Sequence, residues 1–594
     1  MKDKQKKISR RKFLKYSGAA GATILAGSSL TGCMQQGTEI KNPNTIIDQQ
    51  TGTVPSLDPA WVYDTRGGEI LDNVYETLID YDREKVDQMK PILCKEVPTK
   101  ENGLISDDNT EYRFPIKEDI TFHNGDTLTP EDVEYTFERA IVQDRSGGPV
   151  GLLIEPLLNK SGTRSEGEFI VTYDEIDAAV EVDGNEVVFN LAKPFPPFLQ
   201  VLAGSWASIL NKDWAIENGA WDGKASTWKD YNDPDTPPLN EVMNGTGPYE
   251  FVEWESGVSV TLKRFEDYWR ETAPVKNIVI ELVEEFTTRQ EALTNGNADI
   301  IYTPTQKLEQ VQGLDGVDLK GPYPTLQLTS YFFTFDINRQ GQSDKVVEAD
   351  TFSSDSIPKN FFADQDVRKA FAYAFDYESY IDDIFLGYGG VPPSCVPEGV
   401  RYVNEDLDPY SYDLDKAEEH LKKAHDGKVW ENGFTCEVVY NTGNTQRQVA
   451  AQILRDKISQ IKEDFTISVR NIKWASFLDA YIAGKLPVFV LGWLSDYPDP
   501  HNWVKPYMHS QGTYAGFQGY QKEEVDELIN EGINTLDQER RKEIYYQLQE
   551  IYREDVPSVS FVQPQEHQVQ RSWIDGFYYN PVYPGEYYYS LTKG

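Results

Sequence analysis

PVFVLGWLSDYPDP, at residues 487–500, is the most informative segment of this 594-residue chain. The run from Pro487 to Trp493 is short and apolar, which predicts a strand buried on both of its faces. The polar, proline-rich end from Asp496 to Pro500 predicts a tight turn after that strand. Strands and helices alternate along the rest of the chain, which indicates a layered α/β architecture.

The flanking sequence supplies the helices and hairpins of this architecture. One long helix is predicted over 364–387, with an acidic cap at its start and a glycine at its end. A second helix is predicted from Ile70 to Tyr81. A third begins after Thr129, which can cap it while Asp132 answers as in a capping box. Asp183-Gly184-Asn185 predicts the turn of a β-hairpin.

The chain is strongly acidic. Lysine and arginine number 57 and aspartate and glutamate 97, a formal net charge of −40. Residues 1–32 hold eight basic groups and one acid, so without them 49 basic groups face 96 acids, a net charge of −47. This charge argues against nucleic acid and against adhesion to anionic headgroups. Because the acids are spread along the whole chain, a saline environment explains them better than capture of cationic ligands.

Salt is expected to stabilise such a surface. Added ions screen the repulsion between like charges, so the melting temperature should rise between low and molar KCl. A thermal unfolding series in KCl checks this. A melting temperature that falls over the same range would contradict it.

Signatures of catalysis are missing from the sequence. It has no P-loop, no HExxH pair and no G-x-S-x-G elbow, and only six histidines. We therefore expect a binding protein rather than an enzyme, with no cofactor and no metal site. Apart from Cys33, the cysteines are Cys94, Cys395 and Cys436, an odd number without metal-ligand spacing. Buried free thiols are the expectation, and a Cys395–Cys436 bridge is the alternative.

The amino terminus carries an export signal. Ser9-Arg10-Arg11-Lys12-Phe13-Leu14-Lys15 matches the twin-arginine motif in full, and Leu30-Thr31-Gly32-Cys33 resembles a lipobox. The apolar run between them has 14 residues, whereas a spanning helix needs about 20. These features predict an extracytoplasmic protein, anchored to the outer face of the membrane by acyl chains on Cys33. A short tether would follow over 34–43.

Four further motifs have a common resemblance. They are Tyr112-Arg113-Phe114 with Ile120 to Val133, Gly245-Thr246-Gly247-Pro248-Tyr249, Asp366 to Asp376, and Gly492 to Pro500. Their order and spacing resemble the peptide/nickel family of extracytoplasmic solute-binding proteins, which feed ABC transporters. The resemblance covers nearly all of the chain after the tether.

This resemblance implies a type II periplasmic-binding-protein-like α/β fold, in which two lobes close on a ligand by hinge motion. An extra subdomain is inserted in the first lobe. The implied division is 1–33 signal and lipobox, 34–43 tether, 44–73, 241–285 and 546–594 first lobe, 74–240 inserted subdomain, and 286–545 second lobe. The protein would act as a monomer and deliver its ligand to an ABC permease with its ATPase subunits.

The resemblance also implies a site. In peptide-binding members the aspartate equivalent to Asp496 pairs with the α-ammonium of the ligand, and the preceding strand offers main-chain groups from Gly492, Trp493 and Leu494 to the peptide backbone. The alternative is that Asp496 only braces its own turn. Trp493 could face the ligand or the core.

The far end of the ligand remains open at this stage. A peptide carboxylate needs a cation, and the sequence does not choose among Arg401, Arg447, His501 and Lys505. Short peptides are the first choice of ligand. β-Linked oligosaccharides are the alternative, since 12% of the residues are aromatic, and nickel comes third because histidine is scarce. A secreted hydrolase lacks the residues that it would need.

Overall fold

The computed structural model describes residues 40–341 and 344–594. The predicted export signal with Arg10 and Arg11, the predicted lipid attachment at Cys33 and most of the tether therefore lie outside the described residues. Within the described ranges, no helix is both long and apolar enough to cross a bilayer.

A mixed sheet of twelve strands runs through the molecule. In chain order its strands are β1 Thr45–Gln50, β2 Tyr249–Glu255, β3 Ser259–Arg264, β4 Asn277–Leu282, β5 Ile300–Ile301, β6 Val317–Pro324, β7 Gln327–Phe333, β8 Gly389–Gly390, β9 Phe434–Asn441, β10 Phe465–Ile472, β11 Val488–Leu494 and β12 Ser558–Arg571. Across the sheet their order is β10-β9-β11-β7-β12-β5-β1-β4-β3-β2, and β6 and β8 also pair with β12.

Strand β12 lies in the middle of this sheet and joins its two halves. Near its start it pairs antiparallel with β7, where Tyr331 faces Val559. Near its end it pairs with β5, where Ile300 faces Gln570, and β5 in turn lies parallel to β1. One 14-residue strand therefore connects the part of the sheet built from β1 to β5 with the part built from β7 to β11.

The predicted central strand is buried on both faces, as expected. Along β11, Val488 and Val490 belong to one apolar core, whereas Phe489 and Leu491 belong to another on the opposite face. The helices that cover these faces are Gln365–Ala374, Tyr377–Phe385, Leu414–Lys423, Lys428–Asn432, Thr445–Ile461, Trp474–Ile482, His501–Met508, Ala515–Gln518, Glu523–Asn534 and Gln538–Asp555.

A separate core, called the first core below, surrounds β1 to β4 and extends from Ile46 to Ile300, with Tyr588 and Leu591 returning to it from the carboxyl end. The helices of this half are Thr65–Val74, Pro130–Gln143, Gly151–Leu158, Tyr173–Asp177, Phe198–Val201, Lys212–Glu217, Phe286–Thr294 and Leu308–Val311. Two small sheets join them, one of Ile79–Asp82 with Lys85–Pro91 and one of Glu111–Pro115, Glu186–Asn190 and Val180–Asp183.

The chain between β1 and β2 adds no strand to the large sheet, and the inserted subdomain over 74–240 stays a prediction. The boundaries of the lobes stay a prediction. The predicted division at residue 545 falls inside the continuous helix Gln538–Asp555.

Two predicted helices differ from those observed. The helix predicted from Ile70 to Tyr81 instead spans Thr65–Val74, because the Asp64 carboxylate accepts the Gly67 amide and starts it earlier. The helix predicted over 364–387 is two helices. Phe375 is extended, and Asp376 caps a new helix by accepting the Ser379 amide.

Other local predictions are confirmed. Thr129 and Asp132 form the capping box of the helix Pro130–Gln143, and the hairpin turns at Asp183. Cys94, Cys395 and Cys436 are buried free thiols, so the alternative Cys395–Cys436 bridge is wrong.

Candidate ligand-binding site

Asp496 lies just beyond the end of β11 and is half-buried. Its two carboxylate oxygens have different partners. The Tyr63 hydroxyl donates to one oxygen at 2.8 Å, and the Asn502 side-chain amide donates to the other at 2.8 Å. Burial raises the pKa of Asp496 to about 6, although both hydrogen bonds oppose the shift. The carboxylate is thus held in a fixed position with little solvent around it.

Asn502 explains the geometry of the turn. Its side-chain oxygen accepts the Asp496 amide at 3.0 Å and the Trp493 indole N–H at 3.2 Å. Asn502 is in the first turn of the helix His501–Met508, which follows directly from the proline-rich turn. Asn502 therefore ties Asp496 into its turn, while Tyr63 reaches the carboxylate from the chain beside the first core. Sequence analysis missed both Tyr63 and Asn502.

Trp493 is half-buried. Its ring packs edge-on against Tyr514, with 5.6 Å between centroids, and the Tyr514 hydroxyl donates to the Gly492 carbonyl at 2.8 Å. Leu494, the last residue of β11, is 48% exposed.

Strand β11 has one open edge near these residues. On one side it pairs with β7 along its whole length, from Val488 to Leu494. On the other side β9 pairs only with Val488 and Phe489. Among the described strands none pairs with the second edge from Val490 to Leu494. An open strand edge is a template on which an extended chain can add main-chain hydrogen bonds.

Arg447 is the cation that lies beside this edge. It sits in the first turn of the helix Thr445–Ile461, and a side chain at Gly492 would place its first carbon 3.5 Å from the Arg447 guanidinium. That guanidinium donates to the Asn441 side-chain oxygen at 2.8 Å, and in the described part of the chain no carboxylate pairs with it. Burial lowers the pKa of Arg447.

The other three candidate cations have partners elsewhere. Lys505 and His501 both contact the Glu155 carboxylate, which belongs to the helix Gly151–Leu158 beside the first core. Arg401 is exposed and lies over the ring of Tyr402. The contacts of Glu155, like that between Tyr63 and Asp496, join the two halves of the molecule.

A cavity of about 520 Å³ adjoins Leu494. Of the predicted site residues only Leu494 lines it; Gly492, Trp493 and Asp496 do not. Its wall includes several aromatic rings, and Tyr323 stacks on Tyr579 with 5.0 Å between centroids. The aromatic side chains on its wall are those of Tyr302, Tyr323, Phe577, Tyr578, Tyr579, Tyr583 and His567. The tyrosine-rich carboxyl end of the chain suggests an aromatic site, but the other residues of the cavity wall are distant from it in the sequence.

The mixed α/β fold and the open strand edge are those of a binding protein, and comparison with known proteins identifies its class. Residues 89–515 match the family described as bacterial extracellular solute-binding proteins, family 5 Middle, and residues 7–27 match the twin-arginine translocation signal. The chain belongs to this family of solute-binding components of ABC importers. The predicted export by the twin-arginine route and the predicted extracytoplasmic location are supported by the same matches.

Similar proteins cover most of the chain. Heme-binding protein A of Haemophilus influenzae is 25% identical over 82% of this chain and 80% of its own. The probable D,D-dipeptide-binding periplasmic protein DdpA of Escherichia coli is 23% identical, over 89% and 90%. The periplasmic binding protein DppA of Helicobacter pylori, solved in complex with the peptide STSA, superposes with a TM-score of 0.71 at 21% identity, over 92% and 98%. The predicted type II periplasmic-binding-protein fold is confirmed.

Proposed function

We propose that this protein captures short peptides outside the cell and delivers them to an ABC permease driven by ATPase subunits. The open edge of β11 between Asp496 and Arg447 carries the proposal. A peptide laid along that edge would find main-chain partners in the middle, an anion for its ammonium group and a cation for its carboxylate. The names of the related dipeptide-binding protein and of the peptide complex support the same ligand class.

The proposal includes attachment to the membrane. The tetrapeptide ending in Cys33 supports lipidation of that cysteine, which would keep the protein beside its permease. Acyl chains would be its only contact with the bilayer, and the protein would act as a monomer.

Titration calorimetry tests the ligand class. Trialanine should bind, whereas trialanine with an acetylated amino end and an amidated carboxyl end should bind far more weakly, because both charged ends are lost. Cellotriose is the matched comparison, since the aromatic cavity wall also suits sugar rings. Binding of cellotriose without binding of trialanine would favour the oligosaccharide alternative and contradict the proposal.

Arg447 should recognise the peptide carboxylate. Arg447→Met keeps much of the side-chain volume and removes the charge, so we expect trialanine to bind about 10- to 100-fold more weakly. Affinity for trialanine amide should hardly change, since that ligand has no carboxylate. Calorimetry with both ligands measures the difference. An equal loss for the two ligands would mean that Arg447 only supports the fold of the site.

Peptide affinity should depend on pH. The Asp496 carboxyl has its pKa raised to about 6 by burial, so it loses its charge as the pH falls through that value. Between about pH 5 and pH 7.5 a peptide carboxylate stays ionised, and a peptide amino group stays mainly protonated because its pKa is about 7.7–8.0. We therefore expect affinity for trialanine to fall about tenfold from pH 7.5 to pH 5. Asp496→Asn should show a flat profile, and a wild-type profile that is equally flat would contradict the role of this carboxylate.

A further inference from the structure

The aromatic cavity beside Leu494 contains more acid than base. The carboxylates on its wall are Asp64, Glu69, Glu566 and Glu586, and the guanidinium is Arg66. Arg66 pairs with Glu69 at 2.6 Å, which leaves three carboxylates. In the described part of the chain none of these three has a cation within ion-pair distance.

Glu586 is the carboxylate of the three that has other acids close to it. It lies close to two further acids, Asp48 and Glu69, which are themselves buried and share the Tyr588 hydroxyl. Burial, reinforced by repulsion from these two neighbours, raises the pKa of Glu586 well above its ordinary value. Burial also raises the pKa of Asp64. A positive group in the cavity would stabilise the ionised form of both carboxyl groups.

One buried polar atom at the cavity wall has no partner among the described residues. It is a carboxylate oxygen of Asp64, which is buried without a donor. A buried oxygen of this kind normally has a partner, so the cavity suits a ligand that donates to Asp64.

The rings of the wall favour the same kind of ligand. Tyr302, Tyr323, Tyr579 and Tyr583 line the cavity together with the acids. A cation is attracted to the face of an aromatic ring, and the attraction grows when the site is shielded from water. The only histidine on the wall, His567, has its pKa lowered by burial, so it adds no positive charge near neutral pH.

We infer that this cavity receives a cationic side chain of the captured peptide, so that the protein selects basic peptides over neutral and acidic ones. The inference rests on the proposed peptide-binding function. It adds a chemical class to the ligand, with Glu586, Glu566 and Asp64 as counter-charges and the tyrosine rings as walls.

Calorimetry with matched peptides tests the inference. Alanine tripeptides that carry lysine, norleucine or glutamate at the second or third position differ in charge but little in size. The lysine peptide should bind at least about tenfold more tightly than the norleucine peptide at one of the two positions, and the glutamate peptide should be weakest.

Two variants test whether the preference for the lysine peptide arises in this cavity. Glu586→Gln and Glu566→Gln should each reduce the lysine-to-norleucine ratio of affinities several-fold. Glu566 is exposed, so its variant tests the inference even where Glu586→Gln fails to fold. Glu539→Gln is the matched control, an exposed charge change that does not line the cavity and should leave the ratio unchanged.

The outcomes distinguish a failure of this inference from a failure of the proposed peptide-binding function. Equal affinity for the lysine and norleucine peptides at both positions would overturn the inference and leave peptide binding intact. A lysine preference that persists in both glutamine variants would overturn its assignment to this cavity. Binding of none of the peptides would overturn the proposed function and the inference together.

Discussion

Replacing Asp496 with alanine should weaken the binding of trialanine about 10- to 100-fold, the loss expected for one charge-assisted hydrogen bond that has no replacement from water. The carboxylate is half-buried at the open edge of β11 and is already oriented by Tyr63 and Asn502. A peptide ammonium that enters the closed site gives up its hydration, so a fixed anion must take its place. Calorimetry at pH 7.5 measures the loss.

Two control variants separate charge from bracing. Asp496→Asn keeps the size of the side chain but removes the charge and replaces one acceptor by a donor, which the Tyr63 hydroxyl can accept. It should therefore lose nearly as much affinity for trialanine as the alanine variant. Tyr63→Phe removes one hydrogen bond and leaves the carboxylate, so it should lose much less. If Asp496→Ala binds trialanine as tightly as the wild type, the carboxylate only braces its turn.

Arg541→Met is expected to lower the free energy of unfolding by about 3–5 kcal/mol, because it leaves the carboxylate of Asp499 buried without its counter-ion. One terminal nitrogen of Arg541 lies 3.0 Å from each Asp499 oxygen, and both side chains are almost fully buried. Asp499 also accepts the His501 amide, which starts the helix that carries Asn502. Urea denaturation measures the loss.

The neighbouring residue offers a matched control. Arg540 pairs with Glu531 at the surface, where both side chains are 45% exposed. Arg540→Met should therefore cost less than about 1 kcal/mol. Similar losses for the two variants would show that the Arg541–Asp499 pair contributes no more than a surface pair does.

Local patterns predicted the elements of the fold well. The apolar run ending at Trp493 is a strand buried on both faces, and the capping box at Thr129 starts its helix. The error over 364–387 has a local cause. The apolar stripe continues past Phe375, but Asp376 caps a second helix, and periodicity alone does not detect such a break.

The site was only partly predictable, because its partners are far apart in the chain. Asp496 and its strand could be named from one motif, but Tyr63 lies 433 positions away and Arg541 lies 42 positions from Asp499. Arg447 differs from Lys505 and His501 because both of these contact the Glu155 carboxylate, and the sequence does not show that contact. No sequence pattern links such residues, since the folded sheet brings them together.

The cavity, too, could be predicted only in part from the sequence. The tyrosine-rich carboxyl end of the chain is conspicuous in the sequence, but two of the four acids on the cavity wall, Asp64 and Glu69, come from near the other end of the chain. The acidic composition alone favoured a saline environment as its cause. Only the placement of these carboxylates beside aromatic rings indicates a local role for some of them.

Native mass spectrometry of the purified protein, without added ligand, tests the central claim most directly. The wild type should carry a set of added masses that fragment into short peptides, enriched in lysine and arginine, and Asp496→Asn should carry much less of them. A single saccharide mass, retained equally by Asp496→Asn, would contradict peptide capture through this carboxylate.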